Sequence, residues 1–165
     1  MSFAVCKLAE TVDQADATQH LIPMVSILLK NNSTEVIVSL VENLEPLFKT
    51  MGETALNEKL VPAIINLSND KTWRIRLAVI QFIPKMAKYV DREIFVTKVE
   101  QALLQMLMDP VYTIREEAAA SCLALSKSIY DEAWLTQVID VKLEELSKHE
   151  RFMIRIQGVH FITRM

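Results

Sequence analysis

Apolar residues recur along the chain at helical spacing. Over residues 54–68, Leu56, Leu60, Ile64 and Leu67 line one face, with Val61 beside them. Over 72–89, Ile75, Val79, Phe82, Ile83 and Met86 do the same, and Leu77, Ala78 and Ile80 widen the stripe. A period near 3.6 residues predicts amphipathic helices. The second of these is apolar on more than one side, so it must pack against several neighbours at once. Stacked helix pairs supply that environment, because no single pair can bury its own face.

The stacking interval is written in the sequence. Asp70-Lys71-Thr72-Trp73-Arg74-Ile75-Arg76 aligns with Asp109-Pro110-Val111-Tyr112-Thr113-Ile114-Arg115 and with His149-Glu150-Arg151-Phe152-Met153-Ile154-Arg155. The arginines stand at 76, 115 and 155, spacings of 39 and 40, and an aromatic precedes each by three residues. Stepping back 39 from Arg76 reaches Ile37, which keeps the apolar frame and loses the charge. Leu21-Ile22-Pro23 and Leu60-Val61-Pro62 form a second series, again 39 apart; Val99-Glu100-Gln101 and Ile139-Asp140-Val141 continue it without the proline. Each repeat thus reads as helix A, a turn at the Asp or Asn position, and helix B. The A helices are expected over 17–30, 54–68, 92–108 and 132–147, and the B helices over 33–50, 72–89, 111–129 and 150–165. Residues 2–12 read as the last helix of a preceding repeat. The corresponding division is 1–14, 15–51, 52–90, 91–129 and 130–165, the last repeat being truncated. Pro110 is expected at the first helical position behind an Asp109 cap, whereas Pro23 and Pro62 fall inside helix A and should bend it.

Composition sharpens this picture. Two glycines and five prolines in 165 residues leave few chain breakers, so the chain should be nearly all helix with short connections. A net charge of −3 with both signs interspersed lacks the basic face of a nucleic-acid binder. Cys6 and Cys122 lie in apolar runs without partners at metal-ligand spacing, as buried thiols do in a reducing compartment. No apolar run reaches the roughly 18–20 residues that span a bilayer, and Met1–Lys7 lacks the design of a signal peptide. A soluble intracellular protein is expected, cytoplasmic, with the nucleus as an alternative.

The A-helix proline, the turn aspartate and the B-helix Ile-Arg pair resemble the HEAT repeat, which implies an all-α, right-handed α-α superhelix of about four and a half repeats. The strings Asn69-Asp70-Lys71-Thr72-Trp73-Arg74-Ile75-Arg76-Leu77-Ala78 and Asp109-Pro110-Val111-Tyr112-Thr113-Ile114-Arg115-Glu116 are similar to the scaffold (A, structural) subunit of protein phosphatase 2A, in its C-terminal third. That resemblance implies a non-catalytic scaffold. Its inner ridge of turns and B-helix starts would hold the phosphatase catalytic subunit, with regulatory B-type subunits on other repeats of a longer chain. Carried over position by position, it implies partner contacts at Trp73, Arg74 and Tyr112. Ile37, Val141 and His149-Glu150 depart from the family pattern.

Read from the residues, Lys71, Trp73, Arg74, Val111, Tyr112 and Phe152 are the candidate partner-binding set. Trp73 and Tyr112 either pack between repeats or present themselves to a partner, for which Trp, Tyr and Arg are common anchors. Asp70, Arg76, Asp109, Arg115 and Arg155 recur at one register and suggest a structural ladder of ion pairs between repeats, each worth ~0–1 kcal/mol if exposed. For catalysis, metal or cofactor the sequence offers little. His20, His149 and His160 are scattered, and the single His149-Glu150 pair falls short of the converging pairs that helical-repeat iron hydroxylases need. Phosphate loops require glycines that the chain lacks. The alternative to a phosphatase scaffold is another HEAT or armadillo module, such as a nuclear transport receptor or a coat adaptor.

Overall fold

A computed structural model describes residues 2–31, 33–128 and 141–162. Helix α1 is Ser2–Leu8. Helix α2 runs without interruption through Gln14–Asp16, a π-helical turn Ala17–Leu21, and Ile22–Leu29. Two shorter pieces follow, α3 (Thr34–Glu42) and α4 (Glu45–Thr50). Helix α5 again joins three parts, Glu53–Ala55, the π turn Leu56–Leu60, and Val61–Leu67. Helix α6 is Trp73–Met86. Helix α7 comprises Arg92–Ile94, the π turn Phe95–Val99 and Glu100–Met106. Helix α8 is Tyr112–Ser128, residues 141–147 form α9, and α10 is Phe152–Ile162. Among the described residues there is no strand.

The helices form two layers. In one, α1, α3, α6, α8 and α10 pack in succession; in the other, α2, α5 and α7 do so, and each of these also packs on the helix that follows it. Leu40, Val41, Ile80, Ile83, Ala118 and Cys122 are buried within the first layer, and Leu60, Ile64, Val99 and Leu103 within the second. A buried Leu or Ile contributes about 1.5–3 kcal/mol. The molecule is a helical solenoid.

Three features refine the sequence expectations. The helix expected over 33–50 breaks between Glu42 and Glu45, because Pro46 brings no N–H and its ring collides with the carbonyl four residues back. The Asn43 side-chain amide donates to the Ser39 carbonyl (2.7 Å) and so satisfies part of the severed end. Pro84, by contrast, is absorbed inside α6. It withholds a donor from the Ile80 carbonyl, and the Ser121 hydroxyl of α8 supplies one instead at 3.2 Å. Pro23 and Pro62 each stand two residues past the end of a π turn, where i→i−5 bonding carries the carbonyl four residues back clear of the ring. The third π turn starts at Phe95, 39 residues after Leu56 and 78 after Ala17, and precedes Gln101 rather than a proline. The widened turn is therefore a property of the repeated packing, not of proline alone.

The helix ends differ in smaller ways. The first helix ends at Leu8 rather than near residue 12. Residues 132–140 of the fourth A helix and 163–165 of the last B helix lie outside the described residues, as does Asp140 with Ile139.

Candidate docking rim

The short turns from each A helix to its B helix lie along one edge, and each is closed by the same hydrogen bond. The side-chain oxygen of Asn31 accepts from the Ser33 N–H at 2.8 Å, that of Asp70 from Thr72 at 2.7 Å, and that of Asp109 from Val111 at 2.8 Å. At the fourth turn His149 Nδ1 accepts from the Arg151 N–H at 3.0 Å, which requires that nitrogen to be unprotonated. This i to i+2 bond is an Asx-type turn. Asp109 is therefore not a helix N-cap, and Pro110 is not the first helical residue: it sits in the turn, and α8 begins at Tyr112.

The recurrent arginines fasten the same turns from inside. Nη1 of Arg76 donates to the carbonyls of Asp70 (2.7 Å) and Lys71 (3.3 Å). Arg115 donates likewise to Asp109 (2.7 Å) and Pro110 (3.1 Å), and Arg155 to His149 and Glu150 (2.8 Å each). Turn carbonyls without a helical partner need donors, and a guanidinium fork supplies two from one side chain.

Arg76 also reaches the next turn. Its Nε donates to Asp109 Oδ2 at 2.7 Å and its Nη2 to Oδ1 at 3.0 Å, a bidentate pair. The two side chains are only 11% and 7% exposed, so the surface-pair magnitude expected from sequence does not apply. Breaking a buried pair by removing one partner costs about 3–5 kcal/mol. The hydrogen bond to Asp109 is also the main reason that the Arg76 guanidinium is held above its ordinary pKa, against the opposing effect of burial. On either side the bridge lacks one half. Ile37 stands buried where the preceding arginine would be, and His149 stands where the following acid would be.

On the outside of the rim, Trp73, Tyr112 and Phe152 are each the first residue of α6, α8 and α10. They are 38%, 46% and 62% exposed. Each carries a guanidinium over its ring, Arg74 at 4.7 Å, Arg115 at 5.7 Å and Arg155 at 5.6 Å. Lys71 and Arg74 are exposed beside Trp73, whereas Val111 is half-buried and packs against the core. Two clefts separate successive turns. One of about 460 Å³ is lined by Asp70, Lys71, Arg76, Met106, Met108 and Pro110. The other, about 510 Å³, is lined by Pro110, Tyr112, Arg115, Arg151, Phe152 and Met153. Arg151 and Met153 were not singled out from sequence. Stepping 40 residues on from Val111 and Thr113 would have found them.

Elsewhere the chemistry is quiet. Burial pushes the Cys6 thiol up to about 11 and the Cys122 thiol up to about 12, which leaves both as poor nucleophiles near neutral pH. Among the described residues no three His, Cys, Asp or Glu side chains gather as a metal site. No described helix is long and apolar enough to cross a membrane.

Repeated turns, capped by one side chain and clamped by another, mark a helical-repeat chain, and residues 6–165 match the family described as PIK3R4-like, middle domain. The chain belongs to that family. No curated protein matches the sequence of this PIK3R4-like middle domain. Among solved structures it is similar to Cex1p (TM-score 0.73, 13% identity), covering 99% of this chain and 30% of Cex1p. It is also similar to a designed armadillo repeat protein in complex with the peptide (KR)4 (TM-score 0.54, 17% identity), covering 97% of this chain and 72% of that one. Another designed armadillo repeat protein matches with a TM-score of 0.54 at 13% identity, with the same coverage. At such identities the likeness carries the helical-repeat fold. The chain spans about 30% of Cex1p's length.

Proposed function

We propose that this PIK3R4-like middle domain is a non-catalytic docking segment that holds a protein partner along the rim of turns at Asp70, Asp109 and His149. The observation that carries this reading is the row of exposed aromatics, Trp73, Tyr112 and Phe152, one at each of the three successive turns from Asp70 onward. A large apolar side chain left in water at the same register three times is unfavourable for an isolated solenoid and favourable for one that is covered. The designed armadillo protein found with a bound peptide supports protein or peptide recognition by such an array. On this reading Lys71, Trp73, Arg74, Val111, Tyr112 and Phe152 contact the partner. Asp70, Arg76, Asp109, Arg115 and Arg155 set the shape of the rim, and the repeat division at 15–51, 52–90, 91–129 and 130–165 fixes its period.

The finer reading, a scaffold for the protein phosphatase 2A catalytic subunit in the cytoplasm, rests on the Trp73-Arg74 and Val111-Tyr112 strings. It is tested by pull-down of the purified catalytic subunit with the immobilised chain, comparing wild type, Trp73→Ala/Arg74→Ala, and Lys98→Ala away from the rim. Capture lost only in the double variant supports both the partner and the rim. No capture by wild type removes the phosphatase, and photo-crosslinking from position 112 then identifies what the rim holds. Full binding by the double variant overturns the rim.

A further inference from the structure

Taking the docking reading as given, we infer that the rim recognises an extended acidic segment with large apolar residues about every third position. The charges left facing outward set the sign. Asp109 is consumed, both oxygens on Arg76 and one also on the Val111 N–H, and Asp70 is turned back to the Thr72 N–H. Lys71 and Arg74 remain exposed at the Asp70 turn and Arg151 at the His149 turn, against Glu150 as the exposed acid among the described residues of these turns and the Asp109 turn between them. Glu116 and Glu117 are half-buried, a helical turn further in. None of α6, α8 and α10 has an acid in its first turn. The Asn31 turn differs: Thr34 takes the aromatic position and Glu35 is exposed beside it. The cationic, aromatic stretch therefore begins at Asp70.

The spacing of the occupant follows from the stack. Neighbouring helices pack roughly 8–10 Å apart. An extended chain in the polyproline II conformation rises about 3.1 Å per residue with three residues per turn, so every third side chain falls on one face. One apolar side chain in three would thus meet successive clefts, the first lined by Met106 and Met108 and the second by Tyr112, Phe152 and Met153. Carboxylates between them would meet Lys71, Arg74 and Arg151. Arg74 lies on the Trp73 ring, so its guanidinium is already held in place when an acid arrives. The sign is opposite to that suited by the (KR)4 peptide of the designed armadillo protein.

The test is fluorescence polarisation with labelled peptides of about twelve residues, long enough to span the rim. One has Leu or Phe at every third position with Asp and Glu between; a second replaces the acids by Ser and Gln; the third is (KR)4. The acidic peptide should bind at least roughly tenfold tighter than the others and weaken as salt rises from about 50 to about 300 mM. Arg74→Glu/Arg151→Glu, two exposed changes whose folding is checked by circular dichroism, should cost roughly tenfold or more. Equal affinity for the Ser/Gln or (KR)4 peptide overturns the inference, as does binding of the acidic peptide weaker than about 1 mM. Concentration-dependent self-association that excludes the peptide would assign the rim to a second copy of the chain and overturn it too. A protein partner lost by Trp73→Ala/Arg74→Ala while the acidic peptide fails sinks this chemistry alone. Binding that neither rim variant disturbs sinks the docking reading with it.

Discussion

Two neighbouring junctions of the solenoid use the same parts to different depth. Between the Asp70 and Asp109 turns, Arg76 clamps its own turn and grips the next one through a buried bidentate pair. Between the Asp109 and His149 turns, Arg115 clamps its own turn, but the acid it would grip is a histidine whose ring nitrogen already accepts from Arg151. The difference teaches that turn closure and turn-to-turn coupling are separable. Any acceptor at i to i+2 closes the turn, whereas only a carboxylate can also take the neighbour's guanidinium. Helical-repeat stability is a sum of unit and junction contributions, so the two junctions should fail independently.

The largest expected effect comes from Asp109→Ala. It strands the buried Arg76 charge and opens the turn, at a cost of about 3–5 kcal/mol. His149→Ala removes only a turn acceptor and should cost about 1 kcal/mol. Thermal unfolding would then differ by several degrees, at ~2–4 °C per kcal/mol for a chain of this size. Equal losses would abolish the distinction between the junctions.

A second difference lies in the helices behind the turns. Ser121 of α8 donates to the Ile80 carbonyl that Pro84 leaves open, which ties α8 to α6 at the Asp70–Asp109 junction. Ser121→Ala should cost about 1–3 kcal/mol, the penalty of a buried acceptor without a donor. In a Pro84→Ala background the helix can satisfy Ile80 itself, so the same change should cost far less. A double-mutant cycle measured by denaturant unfolding reads this coupling. Additive losses would mean that Ser121 acts through packing and not through the freed carbonyl.

Local patterning makes much of this legible in the sequence. The apolar stripes place the helices, and the 39–40 interval aligns Asp70 with Asp109 and Arg76 with Arg115, because one structural unit is reused and each copy must fit its neighbour. What escaped depends on contacts across the stack. Nothing local to Asp109 says that both its oxygens face Arg76, 33 residues earlier. The break at Asn43 and the tolerance of Pro84 look alike in sequence, since both involve a proline within a B helix. They part across the stack, where Ser121 lies over the carbonyl freed by Pro84 and the helix breaks before Pro46. The π turns have no residue signature either, as the Phe95 copy without proline shows. At the rim, the aromatics were legible by register. Their exposure was not, since an aromatic near a turn packs or protrudes according to the helix beside it.

The smallest expected effect is a gain. In His149→Asp the carboxylate would close the turn on the Arg151 N–H, as Asp109 does on Val111, and would also stand where Asp109 stands relative to Arg76. Arg115 occupies the register of Arg76 and is buried at this junction. A second junction of the Arg76–Asp109 kind should stabilise the chain by about 1 kcal/mol, less than the loss in Asp109→Ala, because His149 is already satisfied and the Arg115 guanidinium already donates to the Asp109 and Pro110 carbonyls. The sign with pH follows from the new group. A carboxylate paired in the folded chain titrates below its unfolded value near 3.9, so the gain is present above about pH 4 and disappears as pH falls further. Unfolding curves of wild type and variant at pH 7 and in the acid range measure both. A gain at pH 7 that fades in acid would show that the two junctions differ by one acceptor. No gain at all would mean that the geometry at His149, one residue longer in its repeat, holds the acid out of Arg115's reach.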